Sequence, residues 1–171
     1  SSSTPLRGSL LCLPTFMVDN FNIYHEGFLT LHDIVGGYGA WLRMWAVLRH
    51  NVLRLWLDID TMAGKPMLED NARYTVNLEE WALSGLAKTP VTFLPFAICA
   101  RQFSFELARL PSNDVTKNDR LSYWMCADSF SDAHSWCSKL SQVLDIITAW
   151  TPLYGDYKKF GIKPLSIVQT S

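Results

Sequence analysis

The chain has 171 residues, 49% of them hydrophobic and 18% charged, with a formal net charge of −1. That balance excludes a disordered chain and leaves room for one domain with a sizeable core, plus a short appendage. It also argues against a dedicated nucleic-acid binder, which needs a basic excess to release counterions from phosphates.

Residues 1–22 read as an N-terminal extension or the end of a preceding module. Leu10, Leu11, Leu13, Phe16, Met17 and Val18 are too apolar for a solvated linker and are expected to pack on the main body. Pro14 interrupts that run and no small-residue cleavage site follows, so it is not read as a secretory signal. The chain starts on Ser rather than Met, which reads as a piece of a longer protein. The domain proper is placed at 23–152 and a C-terminal tail at 153–171. No apolar run approaches the length of a membrane-spanning helix.

Strand-like segments follow in quick succession: 26–32, 41–49, 52–57, 73–78, 96–101, 103–108 and 122–127. Each is rich in aromatic or branched residues and bounded by turn formers. Gly36, Gly37 and Gly39 lie between the first two, as a β-hairpin with a glycine loop requires. Arg49-His50-Asn51 makes the next tight turn, while 58–72 and 111–120 read as polar loops. Residues 81–98 are apolar for a connection, and Pro90 and Pro95 bar a continuous central strand or helix there. The simplest account is an insertion folded onto the barrel. The alternative is a partner-binding surface using Trp81, Leu83, Leu86 and Phe93.

One helix closes the pattern. Ser129 is its cap, and Ala133, Trp136, Cys137, Leu140, Val143, Leu144, Ile147 and Trp150 form one apolar stripe. Pro152 is expected to mark its end. Seven strands and one helix predict a mainly β fold, a curved antiparallel sheet or barrel plugged at one end by the C-terminal helix.

Chemistry-bearing residues are sparse. The cysteines, Cys12, Cys99, Cys126 and Cys137, form no CxxC pair, and the histidines, His25, His32, His50 and His134, lack ligand spacing, so neither zinc nor another metal is expected. Cys99 and Cys126 read as reduced core thiols, which favours the cytosol. His32 and Asp33 are adjacent on a strand and point opposite ways, which makes a poor acid–base couple. No catalytic constellation, cofactor or small-molecule substrate is expected.

The glycine hairpin, the text Trp-Leu-Arg-Met-Trp-Ala-Val-Leu at 41–48 and a closing helix bearing Trp136 together resemble a pleckstrin-homology domain. The finer text is similar to the anillin family: Glu-Gly-Phe-Leu-Thr-Leu at 26–31, Gly-Gly-Tyr-Gly-Ala-Trp at 36–41, Ile-Cys-Ala-Arg at 98–101, Phe-Glu-Leu at 105–107 and Trp-Cys-Ser-Lys-Leu-Ser-Gln-Val-Leu at 136–144. The resemblance implies a seven-stranded antiparallel barrel or sandwich capped by the helix. It further implies a scaffold module with septins and anionic phospholipids, including phosphoinositides, as partners. Rho GTPase contacts would belong to other parts of the parent protein. The implied location is cytoplasmic, peripheral at the plasma membrane and cell cortex of the division site.

In lipid-binding members of that fold, basic residues alternate on the second strand and point into the mouth. The matching positions here are Leu42 and Met44. Strand alternation puts Leu42, Met44, Ala46 and Leu48 on one side and Trp41, Arg43, Trp45 and Val47 on the other. Strong headgroup recognition by the usual pocket is therefore not expected. Arg43 is either a phosphate contact from an outward site or a solvated arginine stacked on a neighbouring Trp. Arg49, Arg54, Lys65 and Arg73 complete the candidate lipid-facing set, worth about 1 kcal/mol per charge near an anionic leaflet. Asp58, Asp60, Glu69 and Asp70 offset much of it. The competing reading is a phosphoinositide-specific targeting domain with an atypical pocket on the outer face of the first hairpin.

Overall fold

The computed structural model describes residues 23–111 and 120–159. The expectations for 1–22, including Cys12, for most of the 111–120 loop, and for the tail beyond Lys159 lie outside these residues.

Seven strands form one antiparallel sheet: β1 Tyr24–Val35, β2 Tyr38–Arg49, β3 Val52–Leu57, β4 Tyr74–Asn77, β5 Leu86–Phe93, β6 Ser104–Arg109 and β7 Ser122–Cys126. Their order across the sheet is β4-β3-β2-β1-β7-β6-β5. β1 and β2 pair over their full length, from Tyr24↔Arg49 to Val35↔Tyr38, so the connection is a two-residue turn. Its residues, Gly36 and Gly37, both hold positive φ (59° and 85°), which only glycine adopts freely. β1 meets β7 at Thr30↔Cys126 and Leu31↔Met125, and beyond Leu31 the two strands part.

Alternation settles what lines the interior. Leu29, Leu31, Met44, Ala46, Leu48, Leu53 and Leu55 are fully buried, whereas Arg43 and Arg49 are exposed. Among the described residues, three α-helices, α1 Asp58–Met62, α2 Leu78–Ser84 and α3 Phe130–Lys159, and a short 3-10 turn at Glu69–Asn71 complete the fold. The hydroxyl of Ser129 accepts from the Asp132 amide at 3.1 Å, the cap that the sequence suggests. The stripe Ala133, Trp136, Cys137, Leu140, Val143, Leu144 and Ile147 joins the buried core.

Four local expectations are corrected. The strand expected at 96–101 is a turn, in which the amides of Ile98 and Cys99 both donate to the Pro95 carbonyl. The fifth strand lies instead at Leu86–Phe93, within the apolar stretch read as an insertion. It is the edge strand and its register shifts between Leu86 and Val91, around Pro90, a position where proline removes no essential ladder bond. The strand expected at 73–78 ends at Asn77, whose side chain accepts from the amides of Glu79 and Glu80 and starts α2. Finally, α3 continues past Pro152 to Lys159, although a proline inside a helix removes one rung of the ladder and crowds the carbonyl four residues back.

Candidate functional site

The site considered is the end of the barrel where β1 turns into β2. Strand alternation carries the interior-facing series Leu29 and Leu31 on to Asp33, a carboxylate where hydrocarbon stands two and four residues earlier. The Tyr74 hydroxyl, from the start of β4, donates to Asp33 Oδ2. The guanidinium of Arg120, just before β7, lies 3.3 Å from Asp33 Oδ1. Arg120 is fixed by further bonds, donating to the His32 carbonyl at 2.5 Å and to the Ser122 carbonyl at 2.9 Å, with Tyr123 stacked 4.3 Å away. On the other flank the Arg73 guanidinium sits 5.9 Å from the Tyr74 ring centre.

Burial pushes the Asp33 carboxyl upward. The Tyr74 hydroxyl, the Ile34 amide, Arg120 and Arg73 outweigh that and hold it below the usual carboxylate range. Burial, and then the facing carboxylate, raise the Tyr74 phenol. The signal for this network is an acid on the core-facing series of a strand, which demands a cation. Its partners lie 41 and 87 residues away (74 − 33 and 120 − 33), beyond any local pattern.

The five cations singled out in the sequence do not converge. Arg43 makes a two-pronged pair with Asp128, both bonds 3.0 Å, and lies 3.8 Å from Asp58. Its guanidinium stacks 4.2 Å over Phe28, not over a Trp. That pairing raises the Arg43 pKa and lowers that of Asp128. Arg54 meets Glu69 at 3.7 Å and Lys65 meets Asp60 at 3.0 Å. Arg49 is exposed at the far end of β2, six residues and roughly 20 Å along the strand from Arg43. Arg73 belongs to the mouth network above.

Of the apolar candidates, Trp81 is buried in the core, its ring 5.6 Å from that of Tyr123. Leu83 and Leu86 are half-buried against the same core. Phe93 is exposed and stacks on Phe130 at 6.0 Å, with Phe96 and Ile98 exposed in the turn that follows. A second exposed apolar group, Ile34, Val35 and Tyr38, crowns the glycine turn.

On the outer face, where β1 and β7 part, a cleft of about 180 Å³ is lined by His32, Arg120, Ser122 and Trp124. Trp41 packs edge-on against His32, and Arg101 lies 5.0 Å over Trp41 while its Nε donates to Cys126 Sγ. Cys99, Cys126 and Cys137 are free and buried, and burial pushes the Cys137 thiol to about 12. Among the described residues, no group of His, Cys, Asp or Glu is arranged to hold a metal ion, and no helix is long and apolar enough to cross a membrane.

No family model matches the chain. It is 29% identical to mouse anillin over 165 residues, covering 87% of this chain, and 30% identical to human anillin over 149 residues, covering 78%. Drosophila melanogaster anillin is 24% identical over 140 residues. The chain spans 12–13% of the length of the mouse and human relatives. Among solved structures, it is similar to the pleckstrin-homology domain of ArhGAP27, at TM-score 0.47 and 19% identity over 71% of this chain and 99% of that one. The pleckstrin-homology domain of human KIAA0053 gives TM-score 0.49 and 17% identity over 71% and 87%. With seven antiparallel strands, a closing helix and sequence relatives from mammals and fly, the chain belongs to the anillin family, as a pleckstrin-homology domain.

Proposed function

We propose that this domain is a non-catalytic docking module of an anillin-type scaffold. It attaches the parent protein to protein partners of the septin kind and, more weakly, to the anionic plasma membrane at the cortex of dividing cells. Protein contact outweighs lipid contact. The observation that carries this reading is the state of the basic residues. Arg43, Arg54 and Lys65 face acids of their own chain, and the interior second-strand positions are Leu42 and Met44. A headgroup with several phosphates needs unpaired cations that converge, because each phosphate desolvated without a partner costs affinity. The exposed Phe93, Phe96, Ile98 and Phe130 supply apolar area suited to a protein interface.

Liposome sedimentation beside a septin pull-down tests the proposal. The expected result is weak vesicle binding that collapses as salt rises, with septin capture that persists. Sub-micromolar, headgroup-selective vesicle binding abolished by Arg43→Glu would overturn it. A second reading, favoured by the outer cleft beside His32 and Trp124, is phosphoinositide targeting through that cleft. In that case Trp124→Ala reduces vesicle binding while Arg43→Glu leaves it unchanged.

A further inference from the structure

Thr30, Ser104 and Cys126 alternate along their strands with the core residues Leu29, Leu31, Phe105 and Met125, so they point away from the interior. All three are nevertheless buried. Their cover is the turn between β5 and β6, which brings buried Cys99 against them and rejoins the sheet through Phe103, a non-glycine residue at φ 57°. Ser104 and Cys126 face each other across β6 and β7. The Ala127 amide donates to the Phe103 carbonyl at 3.1 Å, which makes Ser104–Cys126 the close kind of cross-strand pair, with Cα atoms about 4.5 Å apart. Cys99 Sγ lies 3.5 Å from the Ser104 hydroxyl, so both thiols border one oxygen. Arg101, on the same turn, closes the pocket. Its Nε donates to Cys126 Sγ at 3.1 Å, and its carbonyl accepts from the Ser104 hydroxyl at 2.6 Å.

We infer that Cys99 and Cys126 are an oxidisable dithiol, a covalent site at which a hydroperoxide closes a disulfide and pins the 94–103 turn to β7. The Cys126 thiolate attacks one peroxide oxygen, the O–O bond breaks, and the departing hydroxide is protonated to water. Cys99 then gives up its proton and attacks the Cys126 sulfur. The S–S bond forms, the S–O bond breaks, and a second water leaves. Two electrons pass from the thiols to the peroxide, so no other reactant is consumed. The Arg101 guanidinium beside the sulfur favours the thiolate that starts this sequence. Burial pushes the Cys126 thiol up, Arg101 and Thr30 pull against it, and Cys99 is near enough to add to the rise. Burial therefore makes the first step slower than at an exposed thiol, which sets its rate without forbidding it. Cys137 is the internal control, since it lies on the core-facing stripe of α3 with no guanidinium among the causes of its raised value. The turn also carries the exposed Phe96 and Ile98, so the disulfide holds that apolar surface in one place. The site needs no partner or membrane and stands apart from the docking proposal.

Treating the folded 171-residue chain with hydrogen peroxide and mapping it by non-reducing tryptic digestion and mass spectrometry tests the inference. The expected product is a monomer lighter by two hydrogens, in which peptide 89–101 is linked to peptide 121–139. The second peptide holds both Cys126 and Cys137, and fragment ions should place the link at Cys126 without any variant. Cys137→Ser should keep the link, while Cys99→Ser and Cys126→Ser should each abolish it. The oxidised chain should also melt at a higher temperature than the reduced one, because the bond restrains the unfolded chain. A link at Cys137 or Cys12 overturns the inference, as does oxidation that stops at sulfenic or sulfinic acid with no cross-link. It is equally overturned by a link that forms only after unfolding in urea, or by an oxidised chain that melts at a lower temperature, since either outcome means that the native fold does not bring the two sulfurs together.

Discussion

The two ends of β1 close the same interior with opposite chemistry. At its start, His25 and Gly27 face the Trp136 indole, with ring centres 4.5 Å apart for the histidine pair. At its finish, Asp33 faces Tyr74 and Arg120. The helix end gains mainly from removing hydrocarbon from water, a gain that charge screening does not weaken, and only His25 makes it depend on pH. The mouth depends on matched charges at the rim, whose worth depends on both and is small unless the geometry is held. The lesson is that one strand closes the interior with packed rings at one end and with a paired carboxylate at the other, each end satisfied within the chain.

The largest effect separating the two ends is expected from Trp136→Ala. This indole is 1% exposed, and its loss should cost ~3–5 kcal/mol by thermal or urea unfolding. A loss under ~1 kcal/mol would mean that the helix does not plug the barrel. At the mouth, Asp33→Asn should cost about 1–3 kcal/mol by removing charged hydrogen bonds at a partly buried site. Because the Asp33 pKa is depressed in the fold, its contribution is present above the unfolded carboxylate value of about 3.9 and is lost as pH falls through the folded value. A wild-type melting profile that Asp33→Asn leaves unchanged between pH 2 and 5 would remove the mouth network as a source of stability.

Mild acid sharpens the contrast from the other side. Burial first, then Lys139, lower the His25 pKa, so the folded state prefers the neutral ring against Trp136. A depressed histidine adds stability above its unfolded value of about 6.5 that fades as pH falls below it. Wild type should therefore melt earlier at pH 5.5 than at 7.5, and His25→Gln should narrow that difference. The smallest effect belongs to Arg43→Gln. Its pair with Asp128 is nearly half exposed on both sides, so the change should stay within about 0–1 kcal/mol by urea titration.

The legible parts of the molecule are those written in local periods. The inward series Leu42, Met44, Ala46 and Leu48 and the helix stripe around Trp136 are regular repeats of two and of three or four, and both point into the core. The edge strand β5 was hidden because Pro90 and Pro95 disguise a strand that needs no partner on one side. The 96–101 segment misled because its apolar letters fit a strand while Pro95 turns the chain. At the mouth, Asp33 was visible but its answer was not. Tyr74 and Arg120 reach it through closure of the barrel, and nothing in residues 24–35 announces that.

The short meeting of β1 with β7, at Thr30 and Leu31, also has a mechanical side. It is the seam between a four-stranded half and a three-stranded half, and the His32 carbonyl just past it is held by Arg120 rather than by strand backbone. Hydrogen exchange should therefore release amides along this line before those of the β1–β2 ladder. A pull applied across the two halves would unzip the domain there, making this junction the first part of the sheet to yield under load.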